Sequence, residues 1–294
     1  MKNRLILSAA GIVSALILSA CGSATAGQDS AESSKVVIGV DDGAEEHWTI
    51  LKEKLKDEGI ELEIKNFTDG AQINSATQQD QVDINLFQHL KYLAQFNVNN
   101  DGTLVPVGAT AVYPLALYSE KYTSIEELPA DAEVAIPNNP TNQARALLNL
   151  QTAGLLELKD GGNSLSTPAE ITSSKVKVIP VDSNQTVNAL KGTTDAAVVN
   201  NTQAQKGGLG DEKIIFKEDL NSETLAPYIN GFVTKAENKD DPRWQTIVEA
   251  YHSPEVQAAV TKLNDGNLQF KADWSAEKLQ EVLTAEEETI KATK

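Results

Sequence analysis

The sequence predicts an α/β protein with open sheets, and three observations support this class. Short apolar strands alternate with amphipathic helical stretches from Val36 onward. Strand–helix–strand units occur in succession, which favours parallel pairing with right-handed crossovers. Clusters of Asn, Thr and Gln follow several strands, at the sheet edge where open α/β sheets bind ligands. Residues 21–294 suffice for two lobes or one large domain.

The first strand–helix–strand unit begins at "KVVIGV". The next stretch places Trp48, Leu51 and Leu55 on one helical face, and Gly59 ends that helix before the alternating strand "ELEIKNF". A second unit joins "EVAIP" to "KVKVIPV" through a helix. A third leads from "SNQTVNALKG" into "DAAVVNN", and two further helices meet at Ser253-Pro254.

The helix of the second unit has clear end signals and one unexpected residue. Asn139 is a good N-cap, Pro140 suits the first helical position and Gly154 provides a stop. Arg145, however, is a cation near the positive end of the helix dipole. Either Arg145 lies in solvent, where the cost is small, or an anionic group belongs beside it.

The N-terminal residues have the pattern of an export signal. A basic start precedes an apolar run from Leu5 to Leu18, which is too short to span a membrane. "LSAC" then resembles the lipobox of bacterial lipoproteins, in which the chain is cut before the cysteine and the thiol is acylated. We predict a signal peptide over residues 1–20, a lipid on Cys21 and a flexible tether over 21–35, because the tether contains almost nothing apolar.

Composition restricts the partners and the location. The formal net charge of −17 argues against nucleic acid and provides no basic patch for anionic lipid, so the anchor is the expected membrane contact. A single cysteine excludes an internal disulfide. We expect an exported protein on the extracytoplasmic face of the membrane. The Ser/Ala-rich tether favours a Gram-positive surface over a periplasm.

Three polar clusters are candidates for the floor of a ligand cleft: "FTDGAQIN", "PNNPTN" and "NNTQ", each after a predicted strand. Asn is also a common turn residue, which explains any one cluster but less easily all three. Catalytic motifs, by contrast, are missing from the sequence. His47, His89 and His252 lie far apart, and the pairs Asp41-Asp42 and Asp240-Asp241 are typical of solvated surface. We therefore predict no enzyme activity, no metal and no cofactor.

Six blocks of sequence together resemble a known family. "FTDGAQIN", "VDINLFQHLKYL", "YPLALYSEKYTSIEELP", "VAIPNNPTNQARALLNLQTAGL", "DAAVVNN" and "APYING" occur in the order found in the NlpA family of lipoproteins, the methionine-binding subunits of ABC importers. The similarity extends from about Val36 to Phe270. It implies a monomeric protein that captures methionine and delivers it to a membrane permease with its ATPase.

The resemblance also implies the fold. The family has the two-lobed architecture of periplasmic binding proteins, with the ligand in a cleft between the lobes. The implied boundaries give one lobe of residues 36–113 plus 231–294 and another of residues 114–230. The chain is expected to cross between lobes near Tyr113–Tyr118 and again near Tyr228–Thr234.

Site residues carried over from the family fall into two groups. Arg145 matches the arginine that holds the ligand carboxylate, with Asn142 beside it, and the carboxylate is then the anion that offsets the helix dipole. An arginine at a helix start adds little stability, so its removal is expected to abolish binding and leave the fold intact. The amide partners of the ligand are Asn200 or Asn201 together with Asn230.

The aromatic wall around the ligand side chain matches Phe87, His89 and Tyr92. Aromatic rings suit a thioether. The pattern alone favours core packing for Phe87 and Tyr92.

The chain departs from the family pattern at several positions. Gly70 replaces a tyrosine, Ile73 replaces a proline, and Leu86 and Thr202 stand where other residues are common. A glycine at position 70 is expected to enlarge the pocket, and Gly70→Tyr to sharpen a preference for L-methionine. The same scaffold binding another apolar amino acid or a methionine-containing dipeptide is therefore an alternative. A surface lipoprotein for adhesion or metal capture is a further one.

Overall fold

The computed structural model describes residues 34–293, without the side chain at position 223. The strands are β1 (Ser34–Val40), β2 (Ile60–Asn66), β3 (Ile84–Asn85), β4 (Leu104–Val112), β5 (Ala116–Tyr118), β6 (Ala132–Pro137), β7 (Leu156–Leu158), β8 (Ile171–Ser174), β9 (Val176–Val181), β10 (Ala196–Val199), β11 (Ile214–Phe216), β12 (Ile229–Lys235) and β13 (Gln269–Phe270). The α-helices are α1 (Glu46–Asp57), α2 (Gly70–Gln78), α3 (Leu90–Asn100), α4 (Pro140–Thr152), α5 (Thr186–Gly192), α6 (Asn201–Lys206), α7 (Arg243–Tyr251), α8 (Pro254–Leu263) and α9 (Ala276–Lys291).

The first sheet has the strand order β13-β4-β12-β3-β1-β2. β1 pairs in parallel with β2 and β3, as the predicted strand–helix–strand unit requires. The other half of the sheet is antiparallel, because β12 pairs with β3 and β4, and β13 with β4. The sheet is therefore mixed rather than wholly parallel.

The second sheet has the order β11-β5-β10-β6-β9. β6 pairs in parallel with β9 and with β10, which confirms the second and third predicted units. β5 is antiparallel to β10 and β11. A separate antiparallel pair, β7–β8, follows α4.

The chain passes between the two sheets twice. The first passage joins β4 to β5 through residues 113–115, within the predicted segment. The return runs from β11 to β12 through residues 217–228, so it ends at Tyr228, where the family resemblance implied that it would begin. The reason is that Ile229 already pairs with Val112 in the first sheet.

Each sheet has its own apolar core. The first packs Trp48, Leu51 and Leu55 of α1 against β1, in agreement with the predicted helical face. The second packs Leu147 and Leu150 of α4 against β6 and β10. The opposite faces are covered as well, by Val187 and Leu190 of α5 on the second sheet and by Leu93 of α3 and Leu283 of α9 on the first. Helices on both faces of each sheet leave the strand ends free to form a site.

Helix ends follow the sequence signals. The Asn139 side chain accepts a hydrogen bond at the start of α4, and Gly154, just beyond its end, has a φ of +71°. A left-handed φ suits glycine after a helix C-cap. α7 and α8 meet at Ser253-Pro254 as predicted.

The predicted tether ends earlier than expected. β1 begins at Ser34, because Ser34 and Lys35 pair with Ile60 and Glu61 of β2. The predicted signal peptide, Cys21 and residues 21–33 lie outside the described residues. Within residues 34–293, no helix is both long and apolar enough to cross a membrane.

Candidate functional site

A cavity of about 450 Å³ lies where strand ends and inter-sheet passages converge. Its wall contains all eight residues of the predicted ligand site: Phe87, His89, Tyr92, Asn142, Arg145, Asn200, Asn201 and Asn230. These residues come from segments that are far apart in sequence, so the fold gathers them in one place. The volume lies within the range typical of small-molecule sites.

The three polar clusters line this cavity and also cap helices. The side chains of Asp69, Asn139 and Asn200 accept backbone hydrogen bonds at the starts of α2, α4 and α6, at 2.9, 3.0 and 2.9 Å. The turn-residue interpretation is therefore correct for these side-chain oxygens. It does not compete with a ligand role, because capped helix starts at one cavity also direct backbone N–H groups toward it.

Arg145 is buried, with only 5% of the residue exposed, so the solvent interpretation is excluded. Its Nε donates to Oε1 of Glu218 at 2.8 Å, and its Nη2 donates to Oε2 of Glu218 and to the Tyr113 carbonyl. The guanidinium also lies 4.1 Å from the centre of the Tyr228 ring. Glu218 is thus an anion within the chain that pairs with Arg145. The sequence analysis had expected the ligand carboxylate in this role.

Glu218 was missed by the sequence analysis. It lies 73 residues beyond Arg145, in the acidic segment "KEDLN" that resembles exposed surface. Its side chain is only 9% exposed, and its Oε2 also accepts from the Leu115 N–H at 2.8 Å. A single sequence carries no signal for such a long-range pair.

His89 contributes a neutral ring to the wall. Its Nδ1 accepts from the Tyr92 N–H at 3.1 Å, so its Nε2 carries the proton and donates to Asn142 Oδ1 at 3.0 Å. Burial, with a smaller effect of the nearby Arg145 charge, lowers the pKa of His89 to about 3. The hydrogen bond to Asn142 connects the segment after β3 to the start of α4.

Phe87 and Tyr92 are half-buried and face the cavity, rather than lying within the apolar core. Their rings meet edge to face at 5.9 Å, and His89 meets Tyr92 in the same way at 6.3 Å. Behind them, the fully buried amides of Asn74, Asn85 and Gln88 bond to one another. This network fixes the segment that carries the aromatic wall.

Gly70 does not leave the gap that its small size suggested. A Cβ placed at Gly70 would lie 2.9 Å from two ring carbons of Phe87. The Phe87 ring therefore occupies the space that a side chain at position 70 would need.

Asn201 and Asn230 have partners within the protein. Asn201 Nδ2 donates to Asn264 Oδ1 at 2.6 Å, and Asn230 Nδ2 makes a long 3.4 Å contact with the Tyr228 carbonyl. Asn200 uses only its oxygen, for the α6 cap, in the hydrogen bonds of the described residues. Its amide nitrogen is therefore better placed than that of Asn201 to donate to a ligand.

The pair Asp41-Asp42 is not solvated surface, contrary to the sequence interpretation. Both residues line the cavity, because β1 ends there, and burial raises the pKa of each to about 6. Asp42 accepts from Trp48 Nε1 at 2.8 Å, while Asp41 lies 3.8 Å from Lys206 Nζ. Asp240, by contrast, is exposed as predicted, whereas the Asp241 side chain is only 23% exposed and pairs with Arg243.

Histidines and acids do not assemble into a metal site in the described part of the chain, where no group of three or more potential ligands has suitable geometry. His47 lies beside Asp42, and burial lowers its pKa to about 4. His252 instead contacts the Ala109 carbonyl at 2.8 Å.

A buried guanidinium, an aromatic wall and several amides around one cavity between two α/β sheets define a binding protein for a small amphipathic ligand. Residues 36–271 match the NlpA lipoprotein family. The chain belongs to this family.

Individual relatives agree with this assignment. The chain is 36% identical over 271 residues to the D-methionine-binding lipoprotein MetQ of Salmonella typhi, covering 90% of this chain and 97% of that protein. Among solved structures, protein PG110 from Staphylococcus aureus has a TM-score of 0.81 at 34% identity, covering 85% and 99% of the two chains. The substrate-binding protein of a methionine transporter from Streptococcus pneumoniae has a TM-score of 0.74 at 35% identity, covering 81% and 95%.

Proposed function

We propose that this protein is the substrate-binding lipoprotein of an ABC importer and captures methionine in the cavity between its two sheets. The observation that carries the proposal is the convergence of all eight predicted ligand residues on one cavity. The names of the relatives support the same ligand. The cavity is proposed to bind its ligand without chemical change.

The ligand carboxylate is placed at Arg145, beside the first turn of α4. In the hydrogen bonds of the described residues, Nε and Nη2 of Arg145 are occupied and Nη1 is the nitrogen left for a ligand. Asn200 and Asn230 supply amide groups for the ligand's polar end. The thioether side chain then lies against Phe87 and Tyr92, where sulfur–aromatic contacts are favourable.

A methionine-containing dipeptide is the second candidate, and a specific observation favours it. Asp41 and Asp42 line the same cavity with Lys206 as their nearest cation, at 3.8 Å from Asp41. Half-buried carboxylates of this kind suit an ammonium group, and a dipeptide carries its ammonium further from its carboxylate than a single amino acid does. The Asp41-Asp42 pair is the feature that distinguishes the two ligands.

Mass spectrometry of the material that co-purifies with the untagged protein tests the ligand. We expect methionine, and a dipeptide ending in methionine would select the second candidate. An unrelated ligand, such as a metal ion or a sugar, would contradict both.

The partners and the location follow from the same proposal. Cys21 carries a lipid that holds the protein on the extracytoplasmic face of the membrane, and the tether favours a Gram-positive surface. Tethering raises the effective concentration of the receptor near its permease and ATPase. The protein acts as a monomer and needs no cofactor.

Cys21→Ala is expected to release the protein from the membrane without changing its melting temperature, because the sequence predicts a flexible tether between the cysteine and the first strand. Cell fractionation and thermal denaturation measure the two effects. A variant that remains in the membrane fraction would contradict the lipid anchor.

A further inference from the structure

The Arg145 guanidinium is held by both passages between the sheets. Tyr113 and Leu115 belong to the first passage, and Glu218 and Tyr228 belong to the return. The Tyr113 backbone carbonyl accepts a hydrogen bond from Nη2 of Arg145, and the Tyr228 ring packs on the face of the guanidinium at 4.1 Å. The Glu218 carboxylate accepts hydrogen bonds from two guanidinium nitrogens, Nε and Nη2, in a bidentate geometry.

Glu218 is itself fixed, so that it can fix Arg145. Besides the two bonds from Arg145, its Oε2 accepts from the Leu115 N–H at 2.8 Å. The two side chains are only 7% and 9% exposed. These contacts fix the orientation of both side chains. The orientation of the remaining nitrogen of Arg145, Nη1, relative to α4 is therefore fixed as well.

We infer that Glu218 is a positioning residue for ligand binding, which orients Arg145 so that its Nη1 meets the ligand carboxylate. This inference rests on the proposed function. Orienting the guanidinium in advance removes an entropy cost that the ligand must otherwise meet. Glu218 also compensates the buried charge of Arg145 when no ligand is bound.

A second buried ion pair provides a matched control. Lys91 on α3 is fully buried and pairs with Glu286 on α9 at 2.5 Å. Neither Lys91 nor Glu286 lines the cavity. Glu286→Gln therefore removes the same kind of buried charge from a pair that lies outside the cavity wall and does not contact Arg145.

The test compares L-methionine with L-methioninol, which has an alcohol in place of the carboxylate. Calorimetry and displacement titration give both affinities for the mature chain and for Glu218→Gln and Glu286→Gln. Glu218→Gln is expected to weaken L-methionine binding about tenfold or more, the effect of one charge-assisted hydrogen bond, and to leave methioninol nearly unchanged. Glu286→Gln should lower the melting temperature and leave the ratio of the two affinities unaltered.

Glu218→Asp keeps the charge and shortens the side chain, so it remains informative if Glu218→Gln does not fold. Glu218→Asp should reduce the ratio of the L-methionine affinity to the L-methioninol affinity by a smaller factor than Glu218→Gln does. An unchanged ratio in both Glu218 variants, or tighter methionine binding in Glu218→Gln, would overturn the positioning role. Failure of the unaltered protein to bind L-methionine would instead contradict the proposed function.

Discussion

Nε2 of His89 lies 3.0 Å from Oδ1 of Asn142, which joins the segment after β3 to the first turn of α4 across the cavity. Both residues are members of the predicted ligand site. Their hydrogen bond shows that the site is partly assembled by contacts among its own side chains.

Asn142→Ala is expected to lower stability by about 1–3 kcal/mol, because it leaves the buried His89 N–H without an acceptor. It should also weaken methionine binding. Chemical denaturation and calorimetry measure the two effects. Asn188→Ala, at an exposed helical position of α5, is the matched control and should change neither. Equal stabilities for the two variants would show that the His89–Asn142 bond contributes nothing.

Stability should depend on pH through His89. Its pKa is about 3 in the folded protein, against an ordinary value of 6.5, so between these pH values the unfolded chain binds more protons. Stability is therefore lost as the pH falls from 6.5 towards 3, at up to about 1.4 kcal/mol per pH unit. The stability difference between the unaltered protein and His89→Gln should shrink when denaturation is followed from pH 7 to 4. Parallel curves would mean that the pKa of His89 is the same in the folded and unfolded states.

Arg145→Ala should abolish useful methionine binding and also destabilise the fold. The sequence alone predicted an intact fold, but the variant leaves Glu218 buried without its partner, at a cost of about 3–5 kcal/mol. The double variant Arg145→Met/Glu218→Leu should recover much of the stability while binding stays lost. Thermal denaturation and calorimetry separate these outcomes. A stable Arg145→Ala variant would agree with the sequence-based expectation instead.

Gly70→Ala is expected to displace the Phe87 ring and to weaken methionine binding, with a stability cost of about 1–3 kcal/mol. Gly70→Tyr is therefore not expected to sharpen ligand preference, because a tyrosine must first move Phe87. Gly192→Ala is the control, since a Cβ there meets nothing within 4 Å. Improved methionine affinity in Gly70→Ala would show that Phe87 moves without loss.

Local patterns predicted most of the fold. The helical face of Trp48, Leu51 and Leu55, the Asn139 cap and the parallel strand pairs all depend on residues close in sequence or on the chirality of short crossovers. The antiparallel pairing of β12 with β4 was not predicted. It joins residues more than a hundred positions apart and has no local signature.

Site residues could be predicted only where they lie in a sequence motif of the family. Arg145 and the aromatic wall came from the family resemblance, and the structure adds that they line one cavity. Glu218 and the half-buried Asp41-Asp42 pair were missed or misjudged, because an acidic residue in a loop resembles solvated surface until the fold buries it.

The proposal that Arg145 and Glu218 form a methionine site is tested by calorimetric titration with L-methionine, D-methionine and a methionine-containing dipeptide. The titrated protein is the mature chain carrying Cys21→Ser, which removes the lipid attachment. We expect saturable one-to-one binding of L-methionine, tighter than that of D-methionine and lost in Arg145→Ala/Glu218→Ala. Absence of binding by every methionine-containing ligand, or equal affinity in the double variant, would contradict the proposal.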